Sequence, residues 1–206
     1  AAHKMGDDTA YHGGQVTLNP LPHIRREFLG TVVVPLLSFV SNGWMIGWAS
    51  APYDPQWADR YPKRSALMSL AGPAANLLVV AVCMVVMKAG VALNIFAIPD
   101  QMFAYQIVMA TETGILPAVA AFISVLFYLN LLLFAFNLIP LPPLDGSCAV
   151  TLLMSDETAR RYMAFINQAS FSWIGLLAAW YGFGYLFKPI YMAAVRILFP
   201  EIPWEW

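Results

Sequence analysis

"FLGTVVVPLLSFVSNGWMIGWAS", residues 28–50, is the stretch that decides the architecture. It has the length of a membrane span, which takes about 20 apolar residues. Its content argues against a plain spanning helix. Gly30, Pro35, Ser38, Ser41, Asn42, Gly43 and Gly47 each weaken continuous helix. Broken apolar backbone survives at membrane depth where protein buries it or where it lines a cavity, so the stretch reads as re-entrant. The basic residues support that reading. If 28–50 returns to its starting side, Lys4, Arg25, Arg26, Arg60, Lys63, Arg64, Arg160 and Arg161 share one face, against Lys88, Lys188 and Arg196 on the other, 8 to 3. If it spans, the count becomes 6 to 5 and the usual cytoplasmic excess of Lys and Arg vanishes.

Outward from that stretch, residues 66–87, 115–138 and 169–187 are the expected true spans. Residues 190–198 are too short to span and read as an interfacial helix ahead of "PEIPWEW", where Trp204 and Trp206 suit a headgroup anchor. The composition agrees: 60% of the 206 residues are hydrophobic and 11% charged, against roughly 25% charged in soluble domains. The net charge of −1 gives no basis for nucleic-acid binding. Cys83 and Cys148, in or beside apolar segments, read as free thiols. The expected fold is an all-α polytopic membrane bundle, one integral-membrane domain over 1–206, with a short N-terminal β-hairpin-like element. That element is "YHGGQVTLNP", with a Gly pair before the alternating Gln15–Val16–Thr17–Leu18.

The chemistry concentrates in "FNLIPLPPLDGSCAV", residues 136–150, where an apolar run ends in Pro140, Pro142 and Pro143 and then presents Asp145 and Gly146. Prolines stop the helix, and Gly146 allows close backbone approach. An ionisable side chain on non-helical backbone at membrane depth is a functional candidate. A hard carboxylate suits a metal, and zinc accepts Asp. A hydrolytic zinc site needs about three protein ligands and an open position. The only histidines are His3, His12 and His23, and none forms HExxH, the spacing that sets two His and a Glu on one helical face. From the residues alone, the reading ends at one metal-binding Asp.

Three stretches together resemble the site-2 protease family of intramembrane zinc metalloproteases. "FNLIPLPPLDG" is similar to its NxxPxxxLDG-type motif, "LAGPAAN" (residues 70–76) to its AGPxxN, and "GDDTAYHGGQVTLNPLPHI" (residues 6–24) to the GDxTA…TLNPLxHI segment of a bacterial branch. The resemblance implies zinc as cofactor, with Asp145 as third ligand and Asn137 orienting substrate or the oxyanion. Gly72, Pro73, Asn76, Pro140 and Gly146 match the structural motif positions, and His23 is a minor candidate. It implies cleavage of transmembrane or signal-peptide-like segments, with lipids and membrane-protein substrates as partners, in a bacterial inner membrane. The chain departs from the pattern at "HIRREFLG", where the branch has HID, and at "GGQ", where it has GR. In that branch HExxH lies a few residues before the Gly-Asp pair. Here only five residues precede Gly6, so the motif is expected upstream of Ala1, and residues 1–206 by themselves are expected not to hydrolyse peptides. The alternative is a non-catalytic membrane subunit, bracing a larger complex, derived from the same fold.

Overall fold

The computed structural model describes residues 1–43, 45, 47, 49 and 51–201. Trp44, Ile46, Trp48 and Ser50 of the apolar stretch, and the expected anchors Trp204 and Trp206, lie outside the described residues. The chain divides into two compact units, 1–68 and 69–206.

The first unit is built from short helices: α1 (Ala2–Met5), α2 (Thr9–His12), α3 (Pro20–Arg26), a π-helical turn over Leu29–Val33, α4 (Val34–Asn42), α5 (Pro55–Arg60) and α6 (Pro62–Ser69). Their ends follow local chemistry. Gly6 ends α1 at φ +99° and Gly43 ends α4 at φ +71°, left-handed values that cost glycine little. Asn19 and Asp54 each accept a backbone N–H at the start of a helix whose first residue is proline. A Cβ placed on Gly47 would fall 2.6 Å from the Gly30 carbonyl oxygen and 2.7 Å from the Pro35 ring.

The strand expected over residues 15–19 does not form; bends occupy 16–18. Local side chains have taken two of the backbone groups a strand would offer. The Asn19 N–H donates to the Thr17 hydroxyl (3.1 Å), and Asn19 itself caps α3. His23 Nε2 donates to the Thr17 carbonyl (3.1 Å). Such short-range bonds compete directly with a ladder. The small sheet lies elsewhere, in the second unit.

That unit contains α7 (Ala71–Ala92), β1 (Phe96–Ala97), β2 (Met109–Ala110), α8 (Leu116–Asn137), α9 (Asp145–Ala149), a 3₁₀ turn over Val150–Leu153, α10 (Asp156–Ile166) and α11 (Ala169–Leu198). The two strands pair antiparallel, Phe96 opposite Ala110 and Ala97 opposite Met109. Ser124 of α8 pins this connection. Its buried hydroxyl accepts the Ile107 N–H (3.0 Å) and the Val108 N–H (3.3 Å), and donates to Ala120 O (2.8 Å). The core joins Met87 of α7, Ile107 and Val108 of the connection, Phe127 of α8 and Leu198 of α11. Both cysteines are free thiols.

Among the described residues, two helices are long and apolar enough to cross a membrane, Pro62–Ala92 and Leu116–Asn137. Only 22% and 28% of their most apolar stretches are buried in the fold. A core helix of a water-soluble protein would hide most of such a surface, so these helices have the exposure expected of lipid-facing ones. The segment read as a separate interfacial helix, 190–198, is the continuation of α11, which runs unbroken over 30 residues with Pro189 inside it. Helices of this kind tolerate an internal proline when neighbouring groups satisfy the freed carbonyl.

Candidate metal-ligand site

The site begins where α8 stops. After Asn137 the backbone tightens through successive turns: Leu141 N–H donates to Ile139 O (2.8 Å), Leu144 N–H to Leu141 O (3.0 Å) and Ser147 N–H to Leu144 O (3.0 Å). The Ser147 hydroxyl adds a bond to Leu144 O (2.7 Å). Ile139 and Leu144 are buried together with Ala179 of α11, which anchors the loop at both ends. Asp145 is then the first residue of α9.

Three glycines permit close packing here. A Cβ on Gly146 would sit 2.3 Å from Leu138 O and 2.5 Å from Ile139 O, so the first turn of α9 packs on the backbone end of α8. A Cβ on Gly175 would sit 2.0 Å from Pro142 O, so α11 packs directly on the proline loop. A Cβ on Gly72 would sit 3.2 Å from Asp145 Oδ2. The last distance places the Asp145 carboxylate at the start of α7, beside the buried Pro73. The sequence motifs 70–76 and 136–146 therefore meet in space. Asn76, one turn further along α7 on the face of Gly72, and Asn137, the last residue of α8, are both half-buried. Pro140 is exposed on the loop.

Asp145 is half-buried, and burial raises its carboxyl above the ordinary carboxylate value. Among the described residues, no hydrogen-bond donor or cation is paired with it. A partly desolvated carboxylate without a partner is costly, and a cation would relieve that cost. As a donor it fits zinc. The full set of about three does not come together here: among the described residues no three of His, Cys, Asp and Glu are grouped for a metal. His23 spends Nε2 on the Thr17 carbonyl, and His3 Nδ1 lies 2.5 Å from Asp8 Oδ1. The geometry thus offers one ligand, and no catalytic step can be assigned to a metal from these residues.

Gly175 was not singled out in the sequence. Its signal was a lone glycine inside "FSWIGLLAAW", since small residues in membrane helices mark close backbone approach.

The family model described as "Peptidase family M50" matches residues 4–178. A relative from Bacillus subtilis (strain 168), named "Putative zinc metalloprotease YwhC", is 34% identical over 149 residues, which is 70% of this chain and 56% of the relative. The chain thus spans little more than half the length of that relative. No solved structure matches it. The family match covers most of the chain and includes both motifs that meet at Asp145: this protein belongs to peptidase family M50, the site-2 protease type.

Proposed function

We propose that the protein is an intramembrane zinc metalloprotease that cleaves transmembrane or signal-peptide-like segments, in a bacterial cytoplasmic membrane. The observation that carries this is the Asp145 carboxylate, half-buried, unpaired among the described residues and set against Gly72 at the end of an apolar helix. In this reading Asp145 is one zinc ligand, and the other two, with the general base, come from an HExxH helix outside these 206 residues. When bound, zinc supplies an acidified water and polarises a carbonyl. What this chain contributes is positioning. The turn over 138–144 aims Asp145, Gly72 leaves its oxygen clear, and the Asn137 amide is placed at the same helix end to hold the substrate carbonyl or the developing oxyanion.

The re-entrant reading of 28–50 belongs to the proposal, and three observations support it. α4 stops at Gly43, Gly47 lies against Gly30, and the π-turn and α4 together, 5 and 9 residues, rise only about 21 Å at 1.5 Å per residue, short of a hydrocarbon core of about 30 Å. With that topology, α11 provides the third span. Cysteines placed at Arg25 and Arg60 should label from the same side of oriented vesicles; labelling from opposite sides would show that 28–50 crosses.

The function is tested on the whole protein with its natural upstream sequence, purified and assayed for zinc and for cleavage of a membrane-spanning reporter. Zinc at one per chain together with cleavage is expected. Neither zinc nor cleavage, with stable co-purification in a complex of fixed stoichiometry, would favour the non-catalytic subunit. Asn137→Ala should leave zinc bound and lower turnover by about 10²–10³, the usual effect of losing an oxyanion donor. Unchanged turnover would remove Asn137 from the site.

A further inference from the structure

The first unit holds a carboxylate that the proposed chemistry does not use. Asp7 is 2% exposed, less than the half-buried Asp145, and its pKa is held below the usual carboxylate value. Burial acts to raise it, and three hydrogen bonds together outweigh that effect. The bonds divide between the two oxygens. Oδ1 accepts the Thr9 N–H (3.0 Å) and the Thr9 hydroxyl (2.6 Å), a local turn at the start of α2. Oδ2 accepts the Asp54 N–H (3.1 Å), 47 residues further along the chain. A turn-forming Asp needs only the first arm.

The surroundings repeat the long-range link. A Cβ on Gly6 would lie 3.5 Å from the Trp57 indole nitrogen, and Arg64 Nη1 reaches the Met5 carbonyl at 3.5 Å. Trp57 is itself buried. Residues 5–7 are therefore seated on α5 and α6, with Asp54 capping α5 at the junction through its own side chain (Gln56 N–H to Asp54 Oδ1, 2.8 Å).

We propose that Asp7 is a two-armed clasp: Oδ1 shapes the local turn, while Oδ2 closes the base of the loop 8–53, the loop that contains the apolar stretch 28–50. The hydrogen bonds carry the clasp itself; its consequence for the membrane rests on the re-entrant reading proposed above. A clasp of this kind holds the two ends of loop 8–53 together whatever the helix propensity of the stretch inside it.

The experiment is site-resolved amide hydrogen exchange on the whole protein in detergent or nanodiscs, with two variants. Asp7→Asn keeps one carbonyl oxygen for the Thr9 turn but turns an NH₂ toward the Asp54 N–H, donor against donor. The Asp54 amide should exchange at least about tenfold faster, with Thr9 changing about threefold or less. Thr9→Ala removes only a donor to Oδ1, and should loosen the Thr9 amide while leaving Asp54 protected. Unchanged Asp54 exchange in Asp7→Asn, or loss of both amides together in Thr9→Ala, would overturn the clasp. The vesicle labelling at positions 25 and 60 is independent. Opposite-side labelling, with Asp54 still released by Asp7→Asn, would leave the clasp standing and remove the re-entrant topology.

Discussion

Asp145→Asn in the whole protein should leave the fold intact, reduce zinc retention at least about 100-fold and reduce cleavage to a comparable extent. The fold should hold because, among the described residues, Asp145 makes no hydrogen bond or ion pair that the change could break, and Asn has nearly the same volume. Retention should fall because a neutral amide oxygen is a much weaker zinc ligand than a carboxylate, and even changes to outer-shell partners typically cost about 10–100-fold in affinity. Zinc analysis after gel filtration, circular dichroism and a reporter-cleavage assay separate these effects. Full zinc occupancy with full cleavage in the variant would reduce Asp145 to a helix-end carboxylate.

Gly175→Ala is expected to be the most damaging single methyl addition in the second unit. The new Cβ would sit 2.0 Å from the Pro142 carbonyl oxygen, a backbone atom in a loop locked by turns and by the buried Ile139 and Leu144. Neither side yields by a rotamer change, so α11 and the proline loop must part. Overpacking costs typically about 1–3 kcal/mol, and a backbone contact this short belongs at the upper end. At about 2–4 °C per kcal/mol for a chain of this size, the thermal midpoint should drop by roughly 6–12 °C. Cleavage should fall further than stability explains, because the loop that moves also carries Asp145. Gly182→Ala on the same helix is the control, since no atom lies within 4 Å of its added Cβ. Equal midpoints for the two variants would refute the close contact.

The candidate site was legible in the sequence to the extent that its chemistry is local. Prolines that end a helix, an Asp that follows them and a Gly that allows a sharp return all fall within 136–146, and each acts on its immediate neighbours. The meeting of that turn with residues 70–76 could be reached only through the family resemblance, since nothing in either stretch specifies the other. The contacts of Gly175 with Pro142 and of Asp7 with Asp54 were not legible, because each joins residues more than 30 positions apart. The misplaced strand at 15–19 has the opposite cause. Its alternation was real, but the Thr17 hydroxyl takes the Asn19 N–H and the His23 ring takes the Thr17 carbonyl, local bonds that compete with a ladder. At Pro189 a local rule was overruled by context, and α11 continues through.

The most direct test of the central claim is the zinc absorption spectrum of whole protein carrying Asp145→Cys. If residue 145 is a ligand, extended fine structure should show one sulfur scatterer at about 2.3 Å in place of an oxygen at about 2.0–2.2 Å. Bound zinc with no sulfur in its first coordination sphere would contradict the account.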